Sequence, residues 1–191
     1  KIGDLAPAFV VRTTQGTLAR SAFRGRWVIL FSHPADFTPV CTSEFIALAK
    51  AEPDFAAMGC ALVGLSVDSL PTHLAWLDAI RERFDVRIPF PVVEDPSMAI
   101  AIAYGMLDST ARNSATIRAT YFIDPQGIVR AMTWYPMTIG RSAAKLLRML
   151  AALPRGEKGD VLSPQGWTPG APLMLPPSQT QTALARAGPR W

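Results

Sequence analysis

Apolar positions along this chain fall into two alternating kinds of run. Short blocks of β-branched and large apolar residues predict strands: Trp27 to Phe31 and Ala61 to Val67 as buried ones, with Ala119 to Ile123 and Ile128 to Trp134 as two more. Longer segments separate them. Thr42 to Phe55 predicts a helix after the first block. In Leu70 to Phe84, after the second, Leu70, Leu74, Leu77 and Ile80 predict one helix face turned to the core. Asp124-Pro125-Gln126-Gly127 has turn chemistry, so the last two strands are expected to pair as a hairpin. Arg141 to Ala152 predicts a closing helix. Gly16 and Gly25 mark early turns, and the chain up to Phe9 reads as an edge segment. Strand, helix, strand, helix, hairpin and helix together predict an α/β architecture, a central mixed sheet flanked by helices.

The pattern stops at Leu153. Seven of the seventeen prolines fall between Pro154 and Pro189, and proline-rich chain buries little surface and pairs poorly in a sheet. Residues 1–153 are therefore expected to form one domain and 154–191 a proline-rich C-terminal segment. On its residues alone that segment is either a disordered linker or an extended arm. Trp167, Leu173, Met174 and Leu175 are apolar side chains that an arm could bury.

Composition narrows the classes. Of 191 residues, 49% are apolar and 18% charged, the balance of a soluble protein with a sizeable core. No apolar run is long enough to cross a bilayer and no secretory signal is visible, so no membrane association is expected. The formal charge of +4 invites a nucleic-acid reading, but the positive residues are dispersed. Arg81, Arg83 and Arg87 alternate with Glu82 and Asp85, and no nucleic-acid partner is expected. Two cysteines, Cys41 and Cys60, make neither a disulfide framework nor a four-ligand metal site. Low cysteine use predicts a cytoplasmic protein.

The candidate chemistry lies in one run, Phe31-Ser32-His33-Pro34-Ala35-Asp36-Phe37-Thr38-Pro39-Val40-Cys41-Thr42-Ser43-Glu44. It places Cys41 just past a buried strand at the first turn of a helix. Helix N-termini carry partial positive charge and unpaired N–H groups, which favour a thiolate, the nucleophilic form of cysteine. Pro34, Thr38 and Cys41 stand at the spacing of the peroxiredoxin signature, and the longer run resembles the one-cysteine subfamily in particular. Gly3-Asp4, Ala6-Pro7 and Phe9, then Leu65 to Ser69 with His73 and Trp76, resemble further blocks of that family. So do Arg118, Phe122 to Pro125, and Tyr135 to Arg141. These blocks span about residues 3 to 150.

The resemblance implies a thioredoxin-like fold and a thiol peroxidase with no metal, haem or flavin cofactor. In such an enzyme the Cys41 thiolate attacks one peroxide oxygen and becomes a sulfenic acid. It assigns Thr38 to accept from the peroxide and donate to the sulfur, and Pro34 to shield the sulfur from water. Arg118 would touch the sulfur and stabilise charge on the leaving oxygen. His33 is implied near the sulfur in a supporting role, with Glu44 and Arg141 in an ionic network around Arg118. The same resemblance implies a homodimer, and in some relatives larger rings, with the C-terminal arm packed across the partner. His73 reads as structural.

Cys60 decides the cycle. Two-cysteine relatives carry a resolving cysteine five residues after the first, where this chain has Ile46, or near the C-terminus, where it has none. Cys60 opens a buried strand and reads as core, so an external thiol or other reductant is expected to recycle Cys41. Three rival functions are weighed on residues. A thioredoxin-type reductase needs Cys-x-x-Cys, and the fourth position here is Glu44. A phospholipase known in some relatives needs a serine where this chain has Arg26. An oligomeric holdase would not need Thr38, Cys41 and Arg118 together.

Overall fold

Seven strands form one sheet. β1 (Val10–Thr13) and β2 (Gly16–Ala19) make an antiparallel hairpin, turned at Gly16 with a left-handed φ of 98° that favours glycine. β3 (Trp27–Ser32), β4 (Cys60–Ser66) and β5 (Val92–Glu94) are parallel; β6 (Arg118–Ile123) pairs antiparallel with β3 and forms a hairpin with β7 (Val129–Tyr135). The order across the sheet is β2-β1-β5-β4-β3-β6-β7. This computed structural model describes residues 1–107 and 113–181, and the last ten residues of the predicted arm lie outside that range.

Every residue of β3 and β6 is buried, as central strands covered on both faces require. The covering helices are α1 (Pro39–Ala57), α2 (Leu70–Phe84) and the short α3 (Ala99–Ala103); α4 (Ala143–Gly156) follows β7 in the chain. One apolar cluster joins Leu30, Val63, Val93, Met106 and Tyr121 with Phe23 and Ala6. A second, aromatic, cluster packs Phe31, Phe45, Phe90 and Trp76, with ring centroids 4.5 to 5.7 Å apart. The Asp124 carboxylate closes the β6–β7 turn by accepting from the N–H groups of Gln126 and Ile128.

Several predicted elements shift. The edge segment and turns expected before residue 25 include the β1–β2 hairpin, whose four-residue strands are too short and mixed in polarity to stand out. β5 is three residues long and follows Pro89 and Pro91. The buried stripe of α2 is His73, Trp76 and Ile80, while Leu74 is 50% exposed. The rotation follows from polar contacts that periodicity cannot register: His73 bonds a buried carboxylate and Trp76 bonds Thr42 of α1. The closing helix starts at Ala143, because the backbone N–H of Arg141 goes to a side chain of α1.

The chain divides into two compact units, Lys1–Lys145 and Leu146–Trp191, the passage falling within α4. In the second, Leu162 and Met174 exchange backbone hydrogen bonds of 2.8 and 2.9 Å. Between them Trp167 is buried, and its indole N–H donates to the Ala171 carbonyl at 2.9 Å. No helix among the described residues is long and apolar enough to cross a membrane.

Candidate active site

α1 begins where Thr38 and Pro39 make it begin. Thr38 stands at the cap with extended backbone, and Pro39 takes the first helical position, where its missing N–H costs no hydrogen bond. The Thr38 carbonyl accepts from the N–H and hydroxyl of Thr42 at 2.9 and 2.8 Å. Cys41 thereby falls in the first turn, fully buried, beside unpaired N–H groups and the positive end of the helix. The Thr38 hydroxyl corrects one expectation. It donates to the Ala35 carbonyl at 2.9 Å rather than to the sulfur, which leaves its lone pairs to accept. Pro34 is buried in the same loop.

Arg118, the first residue of β6, is 2% exposed, and its Nη1 donates to Cys41 Sγ at 3.3 Å. Two anchors fix that guanidinium. Nη1 also reaches Glu44 Oε2 at 2.7 Å, and Nε and Nη2 both donate to the Met137 carbonyl, at 2.9 and 2.7 Å. Glu44 lies one turn beyond Cys41, so α1 presents sulfur and carboxylate on one side. Arg141 closes the network from the loop before α4. Its N–H and Nε donate to Glu44 Oε1 at 2.6 and 2.8 Å, and its Nη2 to Oε2 at 2.9 Å. Nη1 of Arg141 donates to the Ala119 carbonyl, and the guanidinium lies 5.1 Å from the Phe31 ring centre.

Burial alone would push the Glu44 carboxyl up, but the hydrogen bonds and charge of Arg141 outweigh it, helped by the charge of Arg118. The carboxyl is held below its usual range and stays ionised. Two guanidiniums and one carboxylate leave one positive charge uncompensated in a buried cluster, which a thiolate at Cys41 would balance. The arrangement can hold a nucleophilic sulfur and, through Arg118, stabilise negative charge developing next to it.

His33 belongs to a second buried network. It is fully buried, and its Nε2 lies 2.8 Å from Asp36 Oδ1 rather than on the sulfur, while its Nδ1 has no partner. Its ring packs on Phe45 and Trp76, with centroids at 4.8 and 5.1 Å. His73 Nδ1 lies 2.7 Å from the other oxygen, Asp36 Oδ2. The only two histidines of the chain thus share one carboxylate. Burial would raise the Asp36 carboxyl, yet hydrogen bonds from His33 and then His73 hold it below its ordinary value. Burial dominates at His33 and pushes its pKa down despite Asp36, so the ring is neutral. An ionised carboxylate only accepts, so the two rings donate through Nε2 and Nδ1.

Asp36 and the Met137 carbonyl escaped the sequence reading. Asp36 left a signal: an acidic residue between two buried runs, with the two histidines of the chain as its available partners. Cys60 is buried at the start of β4 in register with Trp27, and burial pushes its thiol up to about 12, against smaller opposing effects of a backbone bond at Ile29 and the Arg26 charge.

Residues 2–132 match the model of the AhpC/TSA family. The chain is 44% identical over 184 residues to a protein named Peroxiredoxin 2 from Caldanaerobacter subterraneus subsp. tengcongensis, covering 96% of this chain and 83% of that one. Its fold is similar, with a TM-score of 0.87 and 34% identity, to a yeast mitochondrial 1-Cys peroxiredoxin, whose study describes thiol resolution via glutathione/thioredoxin systems; 97% and 91% of the two chains are covered. A reduced 2-Cys peroxiredoxin of Plasmodium vivax is similar at 0.82 and 32%, covering 90% and 91%.

Proposed function

Because the chain belongs to the AhpC/TSA family and is a thiol peroxidase, an antioxidant enzyme that takes a peroxide and a thiol reductant, we propose that Cys41 carries the reaction in a one-cysteine cycle. The thiolate attacks one oxygen of the peroxide and the O–O bond breaks. The leaving oxygen departs as water or alcohol after taking a proton, and the sulfur is oxidised by two electrons to a sulfenic acid. Arg118 stabilises the thiolate and then the leaving oxygen. The Thr38 hydroxyl accepts the hydrogen bond of the incoming peroxide, Pro34 covers the site, and Glu44 and Arg141 hold Arg118. His33 supports the loop through Asp36. The observation that carries this reading is the 3.3 Å hydrogen bond from an anchored, buried arginine to a buried cysteine sulfur.

Two external thiols complete the cycle. The first condenses with the sulfenic acid to a mixed disulfide and releases water, and the second exchanges to restore Cys41. Cys60 takes no part, since its thiol is buried and its pKa raised. Residues 154–191 serve as an arm that packs on a second copy of the chain. The exposure of Leu162, Met174 and Leu175 within its described part supports that role. Two free cysteines and no disulfide support a cytoplasmic location.

Rapid mixing of reduced protein with one equivalent of hydrogen peroxide, followed by tryptophan fluorescence and mass mapping of the trapped sulfur, tests the assignment. Fast consumption with sulfenic acid at Cys41 alone, lost in Cys41→Ser, is expected. A Cys41–Cys60 disulfide would overturn the one-cysteine cycle, and a reaction no faster than a free thiol would overturn the site.

A further inference from the structure

Phe37 has a left-handed backbone, φ 58°, although its side chain is large. For a bulky residue this conformation is an outlier that costs energy, and it persists only where neighbouring structure enforces it. Here both neighbours of Phe37 are pinned. Asp36 is held by its carboxylate to His33 and to His73 of α2, and its N–H donates to Asp68 Oδ2 at 3.0 Å. Asp68 Oδ2 is itself fixed by the Ser66 hydroxyl at 2.8 Å. On the other side, Thr38 caps α1 through its carbonyl and turns its hydroxyl onto Ala35. Residue 37 must take whatever φ joins the two. The bonds that hold Arg118 come from Glu44 and Met137, outside the 33–38 loop. Charge at the sulfur and placement of Thr38 are therefore set by separate networks.

We propose that Asp36 is a positioning residue for peroxide reduction: its buried clamp on His33 and His73 forces Phe37 into the left-handed region and so fixes Thr38 and its hydroxyl at the cap of α1, three residues before Cys41. The proposal rests on the assignment of Cys41 and Thr38 above. It predicts that loosening the clamp slows reaction with peroxide, which needs Thr38 in place, and spares alkylation, which needs only the thiolate.

Asp36→Asn keeps the side chain's shape but sets an NH2 donor against a ring N–H. The second-order rate with hydrogen peroxide should fall about a hundredfold, the scale expected when a reacting group is displaced by about an ångström. The rate of Cys41 alkylation by iodoacetamide should not fall. Phe37→Gly, which accepts a positive φ without strain, should recover most of the peroxide rate in the Asp36→Asn background. An unchanged peroxide rate, a parallel fall in both rates, or no recovery with glycine would each overturn the proposal. Should Asp36→Asn fail to fold, Phe37→Val decides. Phe37 is 57% exposed, so that variant folds, and a β-branched side chain resists the left-handed region. It should lose about tenfold in peroxide rate with alkylation intact, for a strain of the size such residues store; a wild-type rate overturns the proposal. Wild-type protein reacting no faster than a free thiol would instead fail the assignment of the site itself.

Discussion

Two buried polar networks meet the first turn of α1, and they are built to the same count with different chemistry. Around the sulfur, one carboxylate, Glu44, is shared by two guanidiniums. In the preceding loop one carboxylate, Asp36, is shared by two imidazoles. A guanidinium keeps its charge at every pH the folded chain meets, so the first network carries a fixed excess of positive charge that a thiolate matches. An imidazole donates a hydrogen bond with or without charge, so the second network holds geometry without relying on charged rings. The first is an electrostatic device and the second a mechanical one. The backbone agrees with the division: the strained residue, Phe37, belongs to the mechanical side.

The largest expected effect comes from removing the guanidinium that touches the sulfur. In Arg118→Met, Glu44 and Arg141 remain as a neutral pair, so nothing in the cluster favours a thiolate, and the donor to the leaving oxygen is gone. The rate with hydrogen peroxide should fall by about 10²–10³-fold, the usual loss for one preorganised donor. Alkylation of Cys41 should slow as well, in contrast to the Asp36→Asn variant. Stopped-flow rates for both reagents measure this directly. If Arg118→Met slowed peroxide and left alkylation untouched, the two networks would not divide the labour in this way.

A smaller effect separates the networks by pH. The folded pKa of His33 is depressed below its ordinary 6.5, so the unfolded chain takes up a proton first as pH falls. The stability that its neutral burial provides is complete above about 6.5 and is lost below, at no more than about 1.4 kcal/mol per pH unit for one proton. Glu44 and Asp36 are also depressed, from 4.5 and 3.8, and their contribution is lost only at lower pH still. Urea unfolding at a series of pH values should therefore show a decline starting near neutrality and a steeper one below about 4.5. Glu44→Gln should keep the first decline and lose part of the second. A flat stability between pH 7 and 5.5 would mean that His33 is not held neutral in the fold.

Much of this was legible in the sequence, for reasons that also explain what was not. β3, β4 and β6 show as apolar blocks because strands buried on both faces are filled mainly by apolar side chains, and β7, an edge strand, shows through its apolar and aromatic residues and the turn that joins it to β6. Cys41, Glu44, Arg118 and Arg141, which meet at the sulfur, all fall in the motif blocks around Cys41, before Ile123 and after Tyr135. β1, β2 and β5 are three or four residues long, too short for periodicity to register. The face of α2 was misread because its register is set by His73 and Trp76, whose partners Asp36 and Thr42 lie thirty-seven and thirty-four residues away. Hydrophobic pattern records what a residue avoids, and a buried hydrogen bond records what it finds; only the first is local in sequence.

The smallest expected effect concerns the other sulfur. Cys41 and Cys60 are both fully or nearly buried, and burial alone would make both inert. Cys41 differs by the charge placed on it, since Arg118 reaches its sulfur while Glu44 and Arg141 complete the cluster. The Cys60 thiol has a 3.6 Å contact to the Ala61 carbonyl, and burial, outweighing a backbone bond at Ile29 and the charge of Arg26, keeps it protonated with a pKa of about 12. A protonated thiol does not attack a sulfenic acid. Cys60→Ala should therefore leave the peroxide rate and the lifetime of the Cys41 sulfenic acid unchanged, as followed by fluorescence and by trapping with a sulfenic-acid reagent. A longer-lived sulfenic acid in that variant would mean that Cys60 reaches Cys41 during turnover, through an opening of the start of β4. The difference between the two cysteines would then lie in motion rather than in the charge around them.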